Sequence, residues 1–173
     1  MKIIINNKQT GFNVQRNKGF TLIEVLIALI VLSIGLLGAA GLQAKSQQYS
    51  RSAYFNTQST VLAHDLLERM RANPQGLIVE KVYNNPTATK HDSCFTLSGC
   101  SVTDMAQNDM YEWRQDALRK LPGGTGVVCI DSTPDDGEPS DVACDNTGAQ
   151  YAVKVWWKNK DAQMGRVVTT VSF

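Results

Sequence analysis

The apolar residues of this chain change their spacing several times, and each change predicts a different element. From Val25 to Ala44 run twenty residues without a charge. A helix of that length spans ~30 Å, the thickness of a bilayer core. A helix buried in a soluble core is normally shorter and amphipathic, so a membrane-crossing helix is predicted. No proline interrupts residues 42–72, and the first stop signal is Asn73-Pro74 followed by Gly76. The Gln43–Ser59 stretch is polar. Beyond it Leu62, Leu66 and Met70 recur at i, i+4 and i+8, with Ala63 and Leu67 beside them. Such a stripe can carry a globular head. One helix from Phe20 to Ala72, ~80 Å long, is expected, with its first half in lipid and its second half under the head.

Residues 73–103 hold Pro74, Pro86 and several Asn and Thr, and predict a loop-rich connection. Asp104 is placed to cap a helix running to about Leu121, with Met110, Trp113, Ala117 and Leu121 at helical spacing. Pro122-Gly123-Gly124 ends it. Three strands are predicted at Thr125–Ile130, Gln150–Lys158 and Gly165–Phe173, the last two joined by a short polar turn. Val153, Val155 and Trp157 alternate with Lys154, Trp156 and Lys158, the pattern of a sheet with one packed and one wet face. The expected fold class is α+β, a long N-terminal helix with a small antiparallel sheet. The expected divisions are a leader at 1–19, a membrane half of the helix at 20–44, its outer half at 45–73 and a head at 74–173.

Charge sharpens this picture. The 173 residues allow about one domain, and the formal net charge is +1. Lys2, Lys8, Arg16 and Lys18 give residues 1–19 a charge of +4, which leaves −3 for residues 20–173. No basic patch for nucleic acid is therefore indicated in the body of the protein. Basic residues remain on the cytoplasmic side of a membrane, so everything after Ala44 is expected outside the cytoplasm. The leader also differs from an ordinary secretory signal. Its long apolar stretch begins only after the last basic residue, with Gly19 at the junction. Cleavage at that junction would keep the anchor on the mature chain.

Cys94, Cys100, Cys129 and Cys144 all follow the apolar segment. An even count beyond a membrane segment predicts disulfides in an oxidising compartment. Four cysteines allow three pairings, and the local one, Cys94–Cys100 with Cys129–Cys144, closes two loops in the head. Zinc is the rival reading because His91 lies close to Cys94, but no Cys-x2-Cys knuckle is present. No metal or other cofactor is expected. His64 and Glu68 lack a third ligand, and Asp131, Asp135, Asp136, Glu138 and Asp141 do not match calcium-loop spacing. A solvated acidic loop is expected over 131–149. Hydrolase, phosphate-loop and zinc-protease signatures are missing, so no enzyme is expected.

One residue resists the bland description of an anchor. Glu24 places a carboxylate at the edge of an otherwise unbroken apolar run, at a cost approaching ~2.5–3.5 kcal/mol near a bilayer centre. The string Lys18-Gly19-Phe20-Thr21-Leu22-Ile23-Glu24-Val25-Leu26-Ile27-Ala28-Leu29 resembles the signal of type IV prepilins. That resemblance implies cleavage after Gly19 by a prepilin peptidase and methylation of the new N-terminal Phe20. Glu24 then becomes the fifth residue of the mature chain, where the family places its assembly glutamate. In a filament its carboxylate would need a cation, since an uncompensated buried charge costs ~3–5 kcal/mol. The free amine of Phe20 supplies one, and the helix dipole favours a carboxylate in the first turn. Ala28, Ser33, Gly35, Gly38, Ala39, Ala40 and Gly41 would permit close helix approach, or are ordinary membrane-helix composition.

Further strings narrow the resemblance. Leu66-Leu67-Glu68-Arg69-Met70-Arg71-Ala72-Asn73-Pro74, Trp113, Leu121-Pro122-Gly123-Gly124-Thr125-Gly126-Val127-Val128 and Val153-Lys154-Val155-Trp156-Trp157 resemble the PilV-type minor pilins. This implies a scarce structural subunit that primes or caps pili serving twitching, adhesion or DNA uptake. The implied partners are the prepilin peptidase, other minor and major pilins, the inner membrane and a tip adhesin. The implied location is the bacterial inner membrane, with a cytoplasmic N-terminus and a periplasmic head, and then the pilus. Gly41 stands where many major pilins carry a kinking proline, which favours a minor subunit. A type II secretion pseudopilin and a membrane-tethered periplasmic binding module are the alternatives.

Overall fold

The computed structural model describes residues 19–159 and 163–172. The four basic leader residues, and Phe173 at the end of the last predicted strand, lie outside the described residues. The chain divides into two units, Met1–Lys45 and Ser46–Phe173.

Helix α1 runs from Leu22 to Ala72. Every side chain from Gly19 to Arg51 is exposed, including the large apolar ones from Phe20 to Leu42. A helix that is hydrophobic all round demands an apolar medium, and this one is long and apolar enough to cross a membrane. The Ser33 hydroxyl bonds to the Leu29 carbonyl at 2.7 Å, so the polar side chain within the apolar run satisfies itself internally. At the far end Arg69 and Arg71 occupy the last turn, where cations oppose the helix dipole favourably. Pro74 then stops the helix. Gln75–Val79 form a π-helical turn and Asp92–Phe95 a 3-10 turn within the stretch expected to be loop-rich.

In the second unit helix α2 spans Val102–Lys120. Its cap is Ser101 rather than Asp104. The Ser101 Oγ accepts the Asp104 backbone N–H at 3.0 Å, which places the Asp104 carboxylate in the first turn. A better-placed hydroxyl thus starts the helix ahead of the expected position. Strands β1 (Thr125–Ile130), β2 (Gln150–Lys158) and β3 (Met164–Ser172) form one antiparallel sheet in the order β1-β2-β3. Val128 faces Val153, and Val153 in turn faces Thr169.

One face of the sheet packs on the helices. Leu62, Leu66 and Met70 of α1 meet Met110, Trp113 and Ala117 of α2, and both meet Val153, Val155 and Trp157 of β2. The Trp113 indole donates to the Leu62 carbonyl at 2.7 Å, so the largest core side chain leaves no polar atom unpaired. Gly126 makes room for that ring, since a Cβ there would lie 2.3 Å from it. The Gly-rich string after α2 therefore has a packing reason.

The expectation of a wet second face is corrected. Tyr151 through Trp157 are all buried, Lys154 and Trp156 included. Val127, Cys129 and Trp156 form a second apolar cluster against Val142 and Cys144 of the β1–β2 connection. The solvated acidic loop is corrected with it. The side chains of Lys154 and Asp131 are both 0% exposed and their charged atoms lie 2.6 Å apart. The ammonium also donates to the Asp136 carboxylate at 2.9 Å and to the carbonyls of Asp136 and Val142. A buried ammonium must be satisfied on all sides, and the loop folds over the sheet to supply the oxygens.

Lys154→Ala would leave Asp131 buried without its counter-charge, and should cost ~3–5 kcal/mol. Replacing the pair together, Lys154→Met with Asp131→Leu, should recover most of that loss, because apolar isosteres of a buried pair are often neutral. Urea denaturation of the detergent-solubilised chain, followed by tryptophan fluorescence, measures both. An unchanged midpoint for Lys154→Ala would refute the role given to the pair.

Candidate functional site

At the N-terminal end of α1 the chain builds a local arrangement from four consecutive residues. The backbone N–H of Glu24 is shared between the Thr21 carbonyl at 3.1 Å and the Thr21 hydroxyl at 3.3 Å. Thr21 thus caps the helix, and the Thr-x-x-Glu spacing is that of a capping box. Glu24 falls in the first turn as a direct consequence. Its carboxylate stands near the partial positive charge of the unpaired amides. Phe20, Glu24, Ala28 and Leu32, at successive i, i+4 steps, share one side of the helix with Val25 and Leu29. Glu24 is the one acidic residue on this apolar surface, and among the described residues no cation pairs with it. Gly19 and Phe20 precede the helix as exposed, irregular chain, a conformation open to another protein.

In the head the four cysteines are bonded as Cys94–Cys100 and Cys129–Cys144, with Cα–Cα distances of 4.7 and 6.1 Å. Both sulfurs that would join Asp131 in a metal cluster are consumed by the second bridge. His91 lies against Gln107 at 2.8 Å, and its backbone N–H donates to the Asn108 side-chain oxygen. It serves the packing of α2 while Cys94 is bonded elsewhere. His64 and Glu68 remain on the exposed face of α1, where Glu68 pairs with Arg71.

The structure assembles a polar cluster between α1 and α2 that sequence reasoning missed. Arg69 binds Asp65 at 3.0 Å and Glu112 at 2.8 Å, with Asp109 at 3.6 Å. Tyr83 donates to Asp109 at 2.7 Å. Asn73 donates to the Val102 carbonyl and accepts from Gly76, tying the end of α1 to the start of α2. Burial raises Asp109 above the ordinary carboxylate range, although the Tyr83 hydrogen bond and Arg69 pull it down. Burial likewise pushes Tyr83 up, helped by Asp109. Burial also pushes Tyr151 up to about 12, and its hydroxyl donates to the Leu77 carbonyl. These groups lock elements together. The α1–α2 cluster carries no legible signal in the chain, because its central pair, Arg69 and Glu112, stands 43 residues apart. Two other features did carry one: Thr-x-x-Glu ahead of the apolar run, and a lone lysine between Val153 and Val155.

A family model described as the prokaryotic N-terminal methylation motif matches residues 14–40, and one described as type IV pilin Tt1218 matches residues 41–111. The chain is a type IV pilin-like precursor. No curated protein and no solved structure matches it. The two family matches adjoin and together cover α1 and the first half of α2. The sheet lies outside both. The long apolar helix and the three-stranded antiparallel sheet together form an α+β pilin-like fold. The methylation motif fits a membrane-anchored pilin, and the two matches imply processing by a prepilin peptidase and assembly with other pilins.

The loop of this pilin-like head should respond to acid. The Lys154 hydrogen bond, then that of Thr133, holds Asp136 below the ordinary carboxylate range. The Ser132 hydroxyl, then the Thr147 backbone, holds Asp145 below it too. A carboxylate depressed in the folded state stabilises above its unfolded value of ~3.9 and loses that contribution as pH falls through its folded value. Asp109, raised by burial, contributes with the opposite sign. Hydrogen exchange corrected for intrinsic rates should therefore show residues 131–149 opening on acidification below ~3.9. Asp136→Asn with Asp145→Asn should flatten that dependence.

Proposed function

We propose that this protein is a minor pilin, cleaved after Gly19, methylated on Phe20 and inserted into a type IV filament through Glu24. The single observation that carries the reading is the placement of Glu24. It is an acidic side chain in the first turn of an apolar helix, five residues after a small residue that lies in irregular, exposed chain. An anchor alone has no use for a carboxylate in that position, whereas an assembling helix gains a partner-specific contact. Cleavage creates the partner, the amine of Phe20 on the same or a neighbouring subunit.

In this reading residues 1–19 are removed and residues 20–44 hold the subunit in the bacterial inner membrane. Residues 45–73 continue the helix outward, and residues 74–173 form a periplasmic head later displayed on the pilus. Both disulfides suit an oxidising compartment. Gly41, in place of the proline of many major pilins, supports a minor role, as do the strings similar to PilV-type pilins. Such a subunit would prime or cap filaments together with other minor and major pilins and a tip adhesin.

Two substitutions test the steps separately. A bulky residue at position 19, Gly19→Leu, should leave the precursor uncut, as mass spectrometry of the N-terminus would show. Glu24→Ala should still be inserted and cut, because it removes a charge from lipid and leaves Gly19 alone. Its recovery in sheared filaments should fall by roughly a hundredfold or more, the penalty of a buried amine without its counter-charge. Normal recovery would mean that Glu24 only reaches toward the membrane interface.

A further inference from the structure

The Lys154 cage contains one contact that an ion pair alone does not explain. An ammonium has three protons to donate. Hydrogen bonds to the Asp136 carboxylate at 2.9 Å, the Val142 carbonyl at 3.0 Å and the Asp136 carbonyl at 3.2 Å match them in number. The nearest oxygen is a fourth, Asp131 Oδ2 at 2.6 Å. It is buried, and among the described residues it receives no hydrogen bond. Charge-assisted N–H···O bonds are ~2.7–2.9 Å long with the proton between the two atoms. This contact is shorter and lacks that proton. A carboxyl C–O bond of ~1.2 Å also keeps the Asp131 carboxyl carbon within about 4 Å of the nitrogen. Well-placed reacting atoms start ~3–3.5 Å apart.

The surroundings favour a reaction that removes charge. Both side chains are 0% exposed, and the Val127, Cys129 and Trp156 cluster shares their face of the sheet. In water an amine and a carboxylic acid stay ionised and apart. Where water is excluded the charged forms lose their solvation and neutral products gain. Two groups held in one geometry also react as if present at ~10⁵–10⁸ M. Asp136 completes the set. Its carboxylate bonds to the nitrogen, and its side chain is 47% exposed, which connects the cage to solvent.

We propose that Lys154 and Asp131 join in an isopeptide bond. Lys154 Nζ attacks the Asp131 carboxyl carbon, so a C–N bond forms and one C–O bond breaks. The nitrogen gives up two protons in turn, through the Asp136 carboxylate, to an Asp131 oxygen. That oxygen leaves as water with the C–O electron pair. Lys154 keeps one proton as the amide N–H, and Asp136 ends as it began. Nothing is oxidised or reduced, and no further reactant enters. The ion pair gathers the loop during folding, and the amide then fixes it. Asp131 directly follows β1 and Lys154 lies mid-way along β2. The bond therefore ties the loop to the sheet beside the Cys129–Cys144 bridge, and it persists when that bridge is reduced. The proposal goes beyond the assembly role and does not depend on it.

The test is the intact mass of the full chain, purified from membranes in detergent, then reduced and denatured. The expected result is a mass one water below that of the recovered sequence. Protease digestion should release a branched peptide joining the Asp131 and Lys154 segments. Asp136→Asn should restore the full mass, with both native disulfides, checked before reduction, showing that the variant folds. The branched peptide of the unsubstituted chain decides the bond even if that variant fails to fold. Three results would overturn the proposal. They are a full mass for the folded unsubstituted chain, a water loss confined to a linear peptide holding Asp136-Gly137 (a cyclic imide at that pair), and an undiminished branched peptide in folded Asp136→Asn.

Discussion

The head depends on one ammonium. A three-stranded sheet has two faces, and α1 and α2 cover only one of them. On the other, Lys154 rises from the middle of β2 among Val127, Cys129 and Trp156, and it cannot be dehydrated there without oxygens around it. Asp131 and Asp136, with two backbone carbonyls, provide those oxygens. The 131–149 connection is thereby drawn across the sheet, and the Cys129–Cys144 bridge fastens its two ends. Arg166 of β3 grips the carbonyls of the same loop, so two strands hold the cover. A buried ion pair adds little stability over an apolar isostere but is costly to satisfy in any other geometry. It selects one arrangement of an otherwise polar, glycine-containing loop.

The first unit obeys a different constraint. Its side chains are exposed from Gly19 to Lys45, so its stability rests on backbone hydrogen bonds within the helix and on an apolar medium. Within that constraint the position of Glu24 is set by local chemistry. The Thr21 hydroxyl defines where the helix begins, and the carboxylate three residues on sits where the dipole compensates part of its cost. The residues that make the segment similar to a prepilin signal also make a sound helix start.

This difference explains what could be read from the chain. Whatever follows from periodicity was legible: α1 begins two residues after the expected Phe20, β1 and β2 occupy the expected spans, and β3 begins one residue before the expected Gly165. The start of α2 was misplaced because Ser101 and Asp104 both suit a cap and only the three-dimensional bond distinguishes them. The second face of the sheet was misjudged for a deeper reason. Alternation of Val153, Val155 and Trp157 with Lys154 reports which residues share a face, and not whether that face is wet. Lysine normally signals water, and its partners here lie 18 and 23 residues away in a segment whose acidity also signals water. Two signals of solvent cancel when they meet, and no single-sequence pattern records the meeting.

Each unit is held by chemistry of its own. The start of α1 sets an exposed Gly19–Phe20 bond, a capped first turn and Glu24 within a few residues of one another. The head needs the Lys154 cage, the Arg69 cluster and the Trp113 packing, all built from residues beyond Lys45. A substitution that loosens the head loop removes none of the local bonds between Thr21 and Glu24 that make the cap. Conversely, the loss of Glu24 leaves the head's buried charges paired. Surface features of the head can then vary without disturbing the segment that the membrane and the peptidase would see.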